Sequence, residues 1–347
     1  MSVYDPSGTY SAYAGVVLTS MFSNTRSKVR ATILHDDTLT PDNRRRFERT
    51  AERFGQAVDF LDVGERVFDV TANPDSFLQL TRGTLFRLLL PELLPDPRVI
   101  YLDCDVVVNL DIAELWALRP EDAGLSLAAV KDSWVSRYRV HGFRAKLRNW
   151  VMGHAPQEYF NAGVLLMNFA RIRERHNLLK ESREFFERYN LLSDDADQDF
   201  LNTAFRGDVM LVDGRFNDFY GSEGRYIMHF AGRKPWKLPA HSPRDALFWK
   251  TLMDSEWGST VVDRLLGILY ANSERAAPLS TRSSKALLKL ALACVRSLVS
   301  RALHRVFPFR FSLTDWRALF KELRFRYVLR RPVPCASSPR NSQTKGA

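Results

Sequence analysis

Cysteine is scarce in this chain and badly spaced for structural work: Cys104, Cys294 and Cys335 are the only three in 347 residues. The odd number, the wide separations and the lack of any CxxC pair exclude a disulfide framework and a zinc knuckle, and they favour a reducing compartment. No run of eighteen uncharged apolar residues occurs, so no segment reads as a membrane-spanning helix. The first twenty residues carry Asp5, Gly8 and several tyrosines, and they lack the basic stretch and apolar core of a secretion signal. Internal repeats are absent. These absences leave a soluble or peripheral protein, expected in the cytoplasm.

What is present is an ordinary globular composition, 45% hydrophobic, in a chain long enough for one large α/β domain and an appendage. The net charge of +10 suggests a polyanionic partner until it is located. Between Arg282 and Arg331 thirteen lysines and arginines face only Asp315 and Glu322, so the whole excess lies there and the remainder is close to neutral. No nucleic-acid reading motif accompanies that charge, and no nucleic-acid partner is expected.

The chain divides into a main domain over 1–270, a Ser/Thr-rich linker over 271–284, a basic segment over 285–331 and a Pro/Ser/Asn-rich disordered tail over 332–347. In the main domain a helix over 13–23 precedes a strand over 29–34, and Thr40-Pro41 opens a charged helix through Arg53. Strands follow at 58–63 and 98–102, with a helix over 84–90 interrupted by Pro91. A helix over 111–118, a strand over 125–130 and an irregular stretch to Glu158 come next. A strand over 159–168, one long helix over 171–189 and a helix from Asp197 complete the pattern. Alternating strands and helices predict a mostly parallel sheet covered on both faces, with ligands beyond the carboxyl ends of its strands.

Asp103-Cys104-Asp105 lies at such an end, between the apolar runs Val99–Leu102 and Val106–Val108. Two carboxylates two residues apart in a low-dielectric site repel unless a cation lies between them, and a hard divalent ion with oxygen ligands fits. The plain alternative is a pair of loop acids turning the chain. His229-Phe230-Ala231-Gly232-Arg233-Lys234-Pro235-Trp236 offers an imidazole, a glycine and two cations, suited to one metal ligand and to phosphate, or to a surface loop. Asp197-Gln198-Asp199 at a helix start can bind sugar hydroxyls or cap the helix.

The runs YLDCDVVVNLDIAELW (101–116), YFNAGVLLMN (159–168), DQDFLN (197–202) and HFAGRKPW (229–236), in this order, resemble glycosyltransferase family 8. That family includes lipopolysaccharide galactosyl- and glucosyltransferases and, more distantly, glycogenin. The similarity extends from about Tyr4 to Lys237. It implies a Rossmann-like GT-A fold, Mn²⁺ or Mg²⁺ as cofactor, a UDP-hexose donor carrying glucose or galactose, and retention of anomeric configuration. By position it makes Asp103, Asp105 and His229 the metal ligands and Gly232 and Lys234 the diphosphate contacts. Arg87 and Asp103 fall near the ribose and sugar, Asn161, Asp197 and Gln198 around the transferred hexose, and Asp5 with Tyr10 in the uridine segment.

Two features depart from the family pattern. Only Met1-Ser2-Val3 precede Tyr4, so either the true start lies upstream or a central strand is shortened. A single residue, Arg233, separates Gly232 from Lys234, which makes Arg233 an alternative phosphate contact. The acceptor is expected to be a saccharide or lipid-linked saccharide, as in lipopolysaccharide or other cell-surface polysaccharide synthesis. The basic segment is expected to hold the enzyme on the inner face of an anionic membrane. On a helix Leu287, Leu288, Ala291, Val295, Leu298, Val299, Ala302 and Val306 share one side, away from Lys285, Lys289 and Arg296. The competing reading is a haloacid-dehalogenase-type phosphatase, with Asp103 as nucleophile and Asp105 as general acid.

Overall fold

The computed structural model describes residues 1–64, 82–133, 143–189, 193, 195–221, 224–232, 234–237 and 242–259. The expected linker, basic segment and tail lie outside these residues, as does the end of the 1–270 domain.

The elements run β1 (Ser2–Val3), α1 (Tyr10–Asn24), β2 (Arg30–His35), α2 (Pro41–Arg53), β3 (Ala57–Asp62), α3 (Arg82–Phe86), α4 (Leu90–Leu93), β4 (Arg98–Leu102), β5 (Val106–Val108) and α5 (Ala113–Trp116). They continue with β6 (Leu127–Lys131), α6 (Phe143–Met152), β7 (Phe160–Asn168), α7 (Phe169–Arg175), α8 (Leu178–Tyr189), α9 (Asp197–Ala204), β8 (Val209–Val212), β9 (Ile227–His229) and α10 (Pro243–Asp254). The α2 start forms as the sequence predicts: the Thr40 hydroxyl accepts from the Asn43 N–H, Pro41 supplies the preset φ, and Asp42 sits in the first turn. At α1 the Asp5 carboxylate accepts from the N–H groups of Thr9, Tyr10 and Ser11, which satisfies donors the helix itself leaves unpaired.

The expectation of a mostly parallel sheet is corrected. β1, β2 and β3 are parallel, as are β6 and β8. β7 runs antiparallel to both β4 and β6, and β5 antiparallel to β9. All nine residues of β7 are buried. A strand buried on both faces reads as a continuous apolar run, which carries no mark of its direction. Along β7, Val164 and Leu166 enter one apolar core while Leu165 and Met167 enter the other, because successive side chains of a strand point to opposite faces. Each such fully buried side chain contributes about 1.5–3 kcal/mol relative to exposure.

Three further expectations change. The single helix over 171–189 is two, because His176 is extended and the Asn177 side chain accepts from the Lys180 N–H to start α8. Pro91 does not interrupt a helix; it occupies the first turn of α4, where its missing N–H costs nothing. The stretch taken as irregular up to Glu158 contains α6.

β1 spans two residues between β2 and β4. Ser2 pairs with Leu34 in β2, and its carbonyl accepts from the Cys104 thiol at 3.0 Å. Ahead of it, the Met1 amine donates to the Thr32 carbonyl at 3.0 Å. A cavity of about 370 Å³ opens there, walled by Val29–Thr32 on one side and Arg98–Leu102 on the other.

Candidate active site

β4 ends on Asp103, and the chain turns through Cys104 and Asp105 into β5. The antiparallel pairing of β5 with β9 sets Val106 opposite His229, which carries the imidazole to the DxD turn. One ligand atom each from Asp103, Asp105 and His229 fall within 4.8 Å of one another.

Asp103 presents one oxygen to this triangle. Its other oxygen, Oδ1, accepts from Arg87 Nη2 at 2.8 Å and from the Tyr101 hydroxyl at 2.9 Å. Asp105 Oδ1 lies 3.2 Å from His229 Nε2, and its Oδ2 is paired with Lys234 Nζ. Burial alone raises the Asp105 pKa, but the His229 and Lys234 charges and hydrogen bonds outweigh it and hold the carboxylate well below the usual range. Gly163, in β7, forms the back of the cradle. A side chain there would overlap His229 Cε1 and lie 3.0 Å from Asp103 Oδ2.

The donor set suits a hard or borderline divalent cation: two carboxylates and one imidazole, with open space in front. His229 Nδ1 lies 2.8 Å from Asn217 Oδ1, an acceptor, so Nδ1 carries the proton. The other ring nitrogen, Nε2, faces Asp105 Oδ1 at 3.2 Å.

The cradle opens into a cavity of about 630 Å³. One wall is an amide and carboxylate cluster. Gln198 Oε1 accepts from the Ala162 N–H at 3.0 Å and from Asn161 Nδ2 at 2.8 Å, and both side-chain amides donate to Asp132 Oδ2 at 3.2 Å. Asp197 enters beside them, 3.0 Å from Arg87 Nε. Burial pushes its pKa up to about 7; Arg87 opposes this and the Asp103 charge adds to it. The desolvation wins because it is the largest of the three effects. Ala196, directly before Asp197, has φ 47°, the one described non-glycine residue in left-handed backbone. That strained turn aims Asp197 and Gln198 into the cavity.

Of the residues singled out in the sequence, Arg87, Asp103, Asp105, Asn161, Asp197, Gln198, His229 and Gly232 line this one cavity. Lys234 reaches it through Asp105 and also donates to the Phe230 carbonyl at 2.7 Å. Arg233 lies outside the described residues. Trp236 stacks on Tyr13 of α1 with centroids 3.7 Å apart, which pins the Lys234 segment to the domain. Asp5 is buried and spends its carboxylate on the α1 N-terminus and the Ser11 hydroxyl. Tyr10 is partly exposed, with its pKa pushed up to about 12 by burial and by the Asp105 charge.

Sequence reasoning missed Asp132, Gly163 and Asn217. Asp132 follows the apolar strand β6 as Asp103 follows β4, a signal that was available. Gly163 and Asn217 have none, since what requires them comes from β9.

Residues 3–238 match glycosyl transferase family 8, and the chain belongs to that family. It is 27% identical over 197 residues to general stress protein A of Bacillus subtilis, covering 55% of this chain and 61% of that one. It is 30% identical over 185 residues to glycosyltransferase GlyA of Streptococcus pneumoniae, covering 49% and 24% respectively. The chain thus spans less than two thirds of either relative. The solved structure of the galactosyltransferase LgtC, in complex with donor and acceptor sugar analogues, superposes with a TM-score of 0.61 at 26% identity, covering 73% of this chain and 94% of that one. The fold is GT-A-like, with a mixed rather than mostly parallel sheet. The phosphatase reading is set aside: family membership excludes it, and residues 161–163 and 229–232 of the YFNAGVLLMN and HFAGRKPW runs line the cavity beside the DxD turn.

Proposed function

We propose that the chain is a retaining hexosyltransferase that moves glucose or galactose from a UDP-sugar to a saccharide acceptor of a cell-surface glycan. The observation carrying this reading is the Asp103, Asp105 and His229 triangle facing the Asn161, Gln198 and Asp132 cluster across one cavity. One side suits a diphosphate with its cation, the other the hydroxyls of a sugar. The likeness to LgtC and to the Streptococcus relative, and membership of the family, support it.

Asp103, Asp105 and His229 would hold Mn²⁺ or Mg²⁺, which supplies positive charge against the β-phosphate as negative charge develops there on departure. Lys234 adds a further charge on the same side, and Gly232 has open space beside it for a phosphate to approach. Asn161, Gln198 and Asp132 orient the hexose hydroxyls. The bond from the sugar C1 to the phosphate oxygen breaks, the acceptor oxygen bonds to C1 on the same face, and its proton passes to the departing phosphate. Gln198 is a poor nucleophile, and its carbonyl already accepts two hydrogen bonds. Double displacement would fall to Asp197, whose buried carboxyl is less ionised near neutrality. We place the acceptor on or near an anionic membrane surface, reached through the basic segment 285–331.

The test is release of UDP from a panel of nucleotide-sugars by the purified chain, with Mn²⁺ and with EDTA. UDP-hexose turnover should require the metal and fall at least ~10²-fold in Asp105→Asn. Full turnover in EDTA overturns the metal role.

A further inference from the structure

Every polar atom around His229 Nδ1 can be assigned from one fixed point. The Gly163 backbone N–H, which can only donate, lies 2.9 Å from the Asn161 side chain, so the atom facing it is Oδ1. Asn217 approaches that same oxygen at 2.8 Å, so it presents its NH₂ there. Its carbonyl therefore faces His229 Nδ1 at 2.8 Å, so the imidazole carries a proton on Nδ1 and turns Nε2 to the DxD turn. The neighbouring Ala162 N–H fixes the Gln198 amide in the same way, and the remaining donors of Asn161 and Gln198 then meet Asp132. None of the Asn161, Asn217 and Gln198 amides can flip without setting two like atoms against each other.

The backbone holds Asn217 in place. Asp218 N–H donates to the Ile227 carbonyl and His229 N–H to the Asp218 carbonyl, each at 2.8 Å, which bridges the segment to β9. Arg244, at the start of α10, donates to the carbonyls of both Asp218 and His229, at 2.9 and 3.0 Å. Asn217 is 1% exposed. Water cannot replace its two bonds without opening the core.

We infer that Asn217 is a positioning residue that locks the His229 tautomer and ties the metal-facing imidazole to the sugar-facing Asn161 through one buried hydrogen-bond chain. Removing it frees the ring to turn and leaves the Asn161 carbonyl with one donor, the Gly163 N–H, instead of two. A partner of this kind orients a metal-bound histidine and is worth ~10–100-fold in metal affinity. The inference rests on the metal-site reading above and deepens it.

Two variants separate the two bonds. Asn217→Ala removes both. Asn217→Asp keeps an acceptor for Nδ1–H but sets a carboxylate oxygen against Asn161 Oδ1, so it preserves the ring and disturbs the amide. Mn²⁺ affinity of the full chain is titrated in the presence of UDP, the KM for UDP-hexose is measured, and ¹⁵N-histidine NMR of the metal-free protein at pH 8 reports the His229 tautomer. Asn217→Ala should weaken Mn²⁺ ~10–100-fold and lose the Nδ1–H signature. Asn217→Asp should bind Mn²⁺ within about threefold of wild type while its KM rises several-fold, a split that general loosening of the core would not produce. Wild-type Mn²⁺ affinity in Asn217→Ala, or an Nε2–H ring in the wild-type protein, overturns the inference. If the wild type shows the Nδ1–H ring but binds no Mn²⁺, the metal reading fails and the positioning of the ring by Asn217 stands.

Discussion

Gly163 and His229 share a space that admits one side chain: the imidazole of His229 occupies the volume where a β-carbon on Gly163 would lie. The glycine sits on the central strand β7, and its carbonyl accepts from the Asp103 N–H at 2.8 Å, so one residue shapes the cradle and ties down the DxD turn.

Gly163→Ala should therefore lower Mn²⁺ affinity in the presence of UDP at least ~10-fold and UDP-hexose turnover at least ~10²-fold, with a stability loss of about 1–3 kcal/mol from overpacking. Calorimetric titration with Mn²⁺ and urea unfolding of the same preparation measure both. Wild-type Mn²⁺ affinity would show that His229 and Asp103 do not share a ligand there.

Arg87 holds two buried acids at once, Asp103 at 2.8 Å and Asp197 at 3.0 Å. Arg87→Met leaves both without their cation and should cost about 3–5 kcal/mol in urea unfolding at pH 7.5. Adding Asp197→Asn removes one stranded charge, and the double variant should recover part of that loss. No recovery would mean that Asp197 is already neutral at that pH.

The cavity between β2 and β4 has the walls of a strand slot. Burial of the Met1 amine at its mouth pushes its pKa down from 8.0 to about 6. A base whose pKa is depressed by folding contributes stability above its unfolded value that is lost as pH falls, here between about 8 and 6, amounting to roughly 2–3 kcal/mol. Lengthening β1 by three or four β-branched residues ahead of Met1 should fill the slot, remove the buried charge, raise Tm by several degrees and abolish that pH dependence. The melting temperatures of both forms at pH 6 and pH 8 decide it. An unchanged Tm would mean that the slot does not accept a strand.

The membrane proposal predicts that the full chain co-sediments with anionic vesicles at low salt and not with neutral ones, and that a chain ending at Ser284 does not. With half of the thirteen cations near the surface at ~1 kcal/mol each, the attraction is several kcal/mol and should collapse at high salt. Equal sedimentation of the two chains would sink the idea. Loss of folding on truncation would mean instead that the apolar face of 285–331 packs on the catalytic domain.

The sequence by itself determined the order of the motifs, the DxD at a strand end and the cap of α2, because these depend on local spacing and on residues within a few positions of one another. Through the resemblance it also singled out Arg87, Asn161, Gln198 and His229, which line one cavity. Tertiary structure alone decided that β7 runs antiparallel to its neighbours, since a strand apolar on both faces carries no sign of direction. It decided that Gly163 must be glycine and that Asn217 belongs to the site. Both requirements come from His229, which reaches the DxD turn only through the pairing of β9 with β5, and a contact made by strand pairing across distant segments leaves no local trace in the residues it constrains.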